Sequence, residues 1–278
     1  MSPKLVLALA CSLAAAAADA RSKPPLTPSQ IKARYLSIDF RTPESERVHF
    51  SLDRLQYQNP HYKMLDRGPL KDLMLNLVTA DLGKPAEKAL LDKVAAPYKL
   101  KKWDPVFQYV FTGEGSPDEV LAVLKLAAHY NTRLKQFWST TESLSGSVKK
   151  FYFDNIGLNC NGFAGSYAHA IGAPQSPRTG ISAYASPAHK LKKVADIQPG
   201  DVMVWKSGVH ITVIQKVRGN GVFDVVESAG EQEHQGLANS VWEIKQGSGD
   251  VFKATPVTPG QPKRKAMGAR DVYVASLK

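Results

Sequence analysis

The chain has 278 residues, 43% hydrophobic and 22% charged, with 20 glycines, 18 prolines and a formal net charge of +11. These proportions exclude a disordered chain, a collagen-like repeat and a coiled coil, and no apolar run reaches the roughly 18 residues that a membrane-spanning helix needs. The basic surplus favours an anionic partner such as a wall polymer or a lipid headgroup.

Taken in chain order, Lys4, the apolar stretch Leu5 to Ala18 and the small-x-small site Ala18-Asp19-Ala20 read as a secretory signal over residues 1–20. Cleavage after Ala20 predicts an exported protein, periplasmic or extracellular. A lipid anchor on Cys11 is the weaker alternative, because Ala8 stands where a lipobox prefers Leu.

Tyr35–Phe40 and Val48–Leu52 alternate on either side of Thr42-Pro43-Glu44-Ser45, which predicts a small hairpin. Leu70–Val78 and Ala86–Val94 read as short helices, with Pro85 and Pro97 as punctuation. The strongest helix signal is Ser116-Pro117-Asp118-Glu119, an N-cap, a first-position proline and a capping-box glutamate, with apolar spacing that continues to about Trp138. The polar stretch Ser139–Ser147 then marks a boundary. It divides a mixed, mainly helical N-terminal region (21–145) from a second domain (146–278).

Beyond the boundary a short helix is expected from Cys160 to about Ile171. Strand signals follow at Asp201–Trp205, Val209–Val217, Val222–Ser228, Val241–Ile244 and Val272–Leu277. The fold class read from this order is α+β, a helix packed on antiparallel strands. The lysines are dispersed, as at Lys101-Lys102, Lys149-Lys150 and Lys263-Arg264-Lys265, and no zinc-finger or aromatic RNA-binding signature accompanies them. No nucleic-acid partner is expected.

Once the signal is removed, Cys160 is the single cysteine, an odd thiol in an oxidising compartment. Gly157-Leu158-Asn159-Cys160-Asn161-Gly162-Phe163 places it where a loop becomes a helix, and the unpaired amides and positive dipole end there favour a thiolate. Gly162 leaves room for another backbone. His210 opens a later strand, and an imidazole is what a cysteine nucleophile needs to take and return a proton.

Two acids, Asp224 and Glu227, compete to orient that imidazole. The Arg218-Gly219-Asn220-Gly221 turn closes either as a two-residue loop, pairing Gly219 with Val222, or as a four-residue loop, pairing Val217 with Val222. Both closures put Glu227 on the face of His210 and Asp224 on the other. The first sets Glu227 opposite Ile214, and the second sets it opposite Thr212, diagonal to the ring. Glu231, Glu233 and His234 lack a metal-ligand spacing, and no metal or other cofactor is expected.

With these pieces in place, residues 152–228 resemble the NlpC-type cell-wall peptidases and the related CHAP amidases, papain-like cysteine hydrolases of peptidoglycan. The resemblance rests on Asn159-Cys160-Asn161-Gly162-Phe163, the Pro199-Gly200-Asp201 strand entry, the Gly-x-His start at His210, and Val226-Glu227-Ser228. It implies a papain-like domain in which Cys160 is the nucleophile, His210 the base and Glu227 the third polar group. It also implies a substrate-binding role for Tyr152, matched to an upstream tyrosine. The chain departs from the family pattern at Asn159, where Asp is usual, at Asn161, where Ser is usual, and at Thr212, where Gly is frequent. The expected activity is hydrolysis of an amide or peptide bond in peptidoglycan, with a peptidoglycan peptide or another anionic wall polymer as partner. Two alternatives stand beside it: an inactive wall-binding protein of the same fold, and acyl transfer through the same thioester.

Overall fold

The computed structural model describes residues 26–57, 60–134, 143–231, 234–257 and 268–277. The expected signal over residues 1–20, with Cys11, and the Lys263-Arg264-Lys265 cluster lie outside the described residues. Among the described residues, no helix is long and apolar enough to cross a membrane.

The first helix, α1 (Pro28–Leu36), begins with a capping box. The Thr27 hydroxyl accepts the Gln30 N–H at 3.2 Å, and Gln30 Oε1 accepts the Thr27 N–H at 2.7 Å. It absorbs Tyr35 and Leu36, which alternation had assigned to a strand. The expected hairpin follows as β1 (Ser37–Arg41) and β2 (Arg47–Ser51), with Phe40 opposite Val48. Next come α2 (Pro60–Leu82), α3 (Pro85–Ala95), α4 (Trp103–Thr112) and α5 (Pro117–His129). The α5 N-terminus is the capping box expected at Ser116 and Glu119, but the helix stops at His129, short of Trp138.

After α6 (Asn131–Leu134), α7 (Leu144–Asn155) starts inside the expected boundary, with Ser143 accepting the Gly146 N–H at 3.0 Å. The rest of that boundary, up to Glu142, lies outside the described residues. One apolar cluster runs from Ile31 through Phe107 and Phe151 to Val204 and Val213, so helices and sheet share a core.

Helix α8 (Cys160–Ala170) matches its expected span, and a short α9 (Ile181–Tyr184) follows. The strands are β3 (Val202–Trp205), β4 (Ile211–Gly219), β5 (Val222–Glu231), β6 (His234–Gln246), β7 (Phe252–Pro256) and β8 (Arg270–Ala275). All neighbours are antiparallel, as expected for α+β, and β8 returns to pair with β3. The sheet is therefore a closed six-stranded barrel rather than the layer under a helix that the sequence predicted. The closing element is β7, a strand missing from the sequence reading, which joins β6 to β8.

Met203, Ile214, Phe223, Val225, Trp242 and Phe252 fill the barrel. Val202, Val204, Ile211, Val213 and Val226 instead join the cluster that carries α8 and the N-terminal helices. Strands covered on both faces read as continuous apolar runs, as Val202–Val204 does, while Ile211–Ile214 is interrupted by the buried Thr212.

The β4–β5 hairpin closes as the two-residue loop, with Asn220 and Gly221 both at positive φ and Gly219 opposite Val222. Two bulges on β4, at Gln215 and Arg218, then shift the register twice, so Val213 pairs with Val226. Thr212 comes level with Glu227, the position the other closure would have given. Two one-residue shifts restore parity, and the predicted faces survive.

The segment Leu52–Tyr57 straps the helical region to the barrel. The Leu55 carbonyl accepts the Leu237 N–H at 2.8 Å, the Gln56 carbonyl accepts the Leu158 N–H at 2.9 Å, and Tyr57 bridges to Leu158. The crossing requires glycine at 236, where φ is +118° and a Cβ would overlap the Leu55 carbonyl oxygen. Gly236→Ala is expected to cost at least about 2 kcal/mol from overpacking and backbone strain. That corresponds to a melting temperature lowered by roughly 5 °C or more, read by calorimetry. An unchanged melting temperature would mean that the strap is not held there.

Candidate active site

Cys160 is the first residue of α8, and its neighbours explain why the chain carries asparagine on both sides of it. Asn159 caps the helix, accepting the Gly162 N–H on Oδ1 at 2.5 Å and donating from Nδ2 to the Thr112 carbonyl at 3.4 Å. An aspartate could do the first but not the second. The Asn159 N–H donates to the Gly113 carbonyl at 2.9 Å, and a Cβ at Gly162 would overlap that same carbonyl oxygen. The close backbone approach expected at Gly162 is thus made by the loop that precedes α5. Asn161 donates to the Pro177 carbonyl at 3.2 Å, tying the loop after α8 to the helix start.

His210 stands one residue before β4 and is buried. Glu227 follows Phe223 and Val225 on the barrel-lining side of β5 and is wholly buried. The Nε2 of His210 and the Oε2 of Glu227 are 2.8 Å apart. The other carboxylate oxygen accepts the Ser240 hydroxyl and, at 3.5 Å, the Trp242 indole N–H, which also donates to Ser240 at 3.1 Å. With Nε2 engaged, Nδ1 is the ring nitrogen left for the Cys160 thiol, to which His210 is hydrogen-bonded. The Trp205 ring meets the imidazole edge-on, with centroids 4.9 Å apart. Asp224, on the opposite face as expected, pairs with Arg218 at 2.6 Å.

Burial would raise the Cys160 thiol. The hydrogen bond and charge of His210, with the N–H groups of Ile211 and Asn161 directed at the sulfur, outweigh it and hold the thiol below its ordinary value. Burial also disfavours an imidazolium, yet hydrogen bonds to Cys160 and Glu227 push His210 up to about 10. The two groups therefore coexist as thiolate and imidazolium over a window that opens below the usual thiol range and closes near pH 10.

Cys160, His210 and Glu227 are brought together, but Tyr152 is not with them. Its side chain is fully buried in the helical core, its hydroxyl donates to the Tyr35 carbonyl at 2.8 Å and its ring packs beside Phe50. No face of it is open to a substrate, so the substrate-binding role expected for Tyr152 is corrected to a core contact.

The tyrosines that border the thiol are Tyr57 and Tyr184. Burial and then the Cys160 charge push Tyr57 up to about 12 and raise Tyr184 as well. Tyr57 is partly exposed, its ring lying against Gly230, while Tyr184 is buried. Glu114, half-buried on the loop before α5, is hydrogen-bonded to Asn159, and its burial raises the carboxyl above its ordinary value. None of the three carried a local sequence signal, because the strap and loops that bring them to Cys160 are distant in the chain. The chain matches no protein-family model, and no curated protein or solved structure is significantly similar to it.

Proposed function

We propose that the protein is an exported cysteine hydrolase that cleaves an amide or peptide bond in peptidoglycan, with a papain-like relation between a helix-borne cysteine and a strand-borne histidine. The observation that carries this reading is the buried line from the Cys160 thiol through His210 to Glu227, closed by the 2.8 Å contact between Nε2 and Oε2. A buried ion pair is costly to keep, and a polar line this complete fits chemical use better than stability alone.

In the proposed reaction the Cys160 thiolate attacks the scissile carbonyl carbon, forming a C–S bond. The oxyanion is received by the α8 N-terminus, where the Asn161 N–H faces the sulfur and the Gly162 N–H is held by Asn159. That leaves the Cys160 N–H as the first-turn donor for the oxyanion. The imidazolium then gives its Nδ1 proton to the leaving amine as the C–N bond breaks. Water attacks the thioester, Nδ1 takes its proton, and the acid departs as the thiolate is restored. Glu227 fixes the ring and its tautomer throughout.

The substrate class rests on the resemblance of residues 152–228 and on the +11 charge, which favours an anionic wall. The test is incubation of purified protein with peptidoglycan, followed by mass spectrometry of the released material. Fragments bearing new amine and carboxylate ends are expected. Amine-capped products would indicate transfer, and no change in the polymer would contradict the reading.

A further inference from the structure

A second feature lies on the strap and α7. A groove of about 700 Å³ runs between the strap and α7, lined by Leu52, Asp53, Arg54, Lys149, Phe153 and Asp154 among others. Lys150, which also lines it, is bound to Asp154 at 2.6 Å, so this pair is internally neutral. Arg54 and Lys149 are exposed, one on each wall, and neither has an ion-pair or hydrogen-bond partner among the described residues. Asp53 sits on the rim, and the five charged side chains sum to one net positive charge. Leu52 and Phe153 supply an apolar floor.

Both walls are joined in the chain to the Cys160 region, the strap through Tyr57 and α7 through the segment that follows Asn155. The strap runs from Arg54 to Tyr57 in three residues, at most about 11 Å of chain. There it bridges to Leu158, two residues before Cys160. The strap that forms one wall of the groove therefore also carries Tyr57, which borders the thiol.

We propose that this groove is an anion-binding subsite, in which Arg54 and Lys149 hold a carboxylate- or phosphate-bearing part of the substrate. The assignment of the anion to the substrate rests on the hydrolase reading, whereas the subsite itself does not. An Arg guanidinium with a flexible Lys ammonium suits planar or tetrahedral anionic oxygens, and the apolar floor takes the adjoining carbon chain.

The test measures binding without turnover, so it fails or succeeds independently of the hydrolase reading. Hexaglutamate and tripolyphosphate are titrated into the full chain at low salt by calorimetry. These two arms separate a carboxylate from a phosphate source. At least one probe is expected to bind, with R54Q/K149Q weakening it at least tenfold. D53N, which removes the rim carboxylate, should tighten it. The control K101Q/K102Q, at exposed lysines elsewhere, should change it less than twofold. No binding of either probe, or equal weakening by the control pair, would overturn the subsite. An unchanged or weaker affinity in D53N would also count against it.

Discussion

Replacing Cys160 with alanine is expected to reduce peptidoglycan fragment release to background, a loss on the order of 10³-fold or more, or at least about 4 kcal/mol of transition-state stabilisation. The expectation follows from covalent chemistry: without sulfur there is no thioester, and the imidazole of His210 has no nucleophile to activate. Cys160→Ser should be nearly as poor, because a hydroxyl in the same buried place is far less acidic than the thiol. Both variants should retain the native circular dichroism spectrum and melt within a few degrees of the parent. The substitution alters one small side chain at a helix terminus, and its cap, Asn159, is untouched. Fragment release by Cys160→Ala at a rate near that of the parent would remove the cysteine from the chemistry.

The second large effect is expected at Glu227. Its carboxylate accepts from His210, Ser240 and Trp242, all donors, and it is wholly buried. In Glu227→Gln the amide presents its NH₂ to one of these donors and cannot stabilise an imidazolium by charge. The catalytic rate should fall at least tenfold, about 1.4 kcal/mol or more. Stability should fall by roughly 2–4 kcal/mol, because the His210 partner is left uncompensated. A positioning role predicts more than a stability loss: the rate maximum should narrow on its alkaline side, since the imidazolium loses a group that raises its pKa. Asp224→Asn, which touches only the exposed Arg218 pair, should change the rate less than twofold. The reverse ranking of the two acids would mean that the β4–β5 register differs from the one described.

That register illustrates what could be read from the sequence and what could not. Asn220-Gly221 carries the backbone signal for a two-residue turn, and face parity follows from it. The bulges at Gln215 and Arg218 carry none, since bulged residues have no compositional mark and are set by the twist that barrel closure imposes. Parity survived because there are two of them, yet the partner opposite Glu227 was the one assigned to the other closure. Helix α8 was legible for a local reason, a polar cap followed by small residues. The capping box at Ser116 was legible in the same way. The equivalent box at Thr27-Pro28-Ser29-Gln30 went unread, and the alternation of Tyr35 to Phe40 placed the last two residues of α1 in a strand.

Long-range placement explains the remaining differences. Tyr152 is close to Cys160 in sequence, but on α7 its side chain turns to the helical core and Phe50. Tyr57 is far away in sequence, yet it borders the thiol, because the Gln56 carbonyl pairs with the Leu158 N–H across the strap. Barrel closure was also non-local. β7 alternates in burial and ends at Pro256, but its pairing with both β6 and β8 depends on the return of the chain at Arg270.

The central claim, that Cys160 and His210 form a thiolate–imidazolium pair, is tested most directly by the pH dependence of Cys160 alkylation in the native protein, followed by intact mass. Iodoacetamide should modify this single described thiol with an inflection below the ordinary thiol range, because His210 and the α8 amides outweigh burial. In His210→Ala only burial and the amides remain, and the inflection should rise toward or above the ordinary thiol range. Modification only after denaturation, or an inflection that does not move when His210 is removed, would contradict the pair.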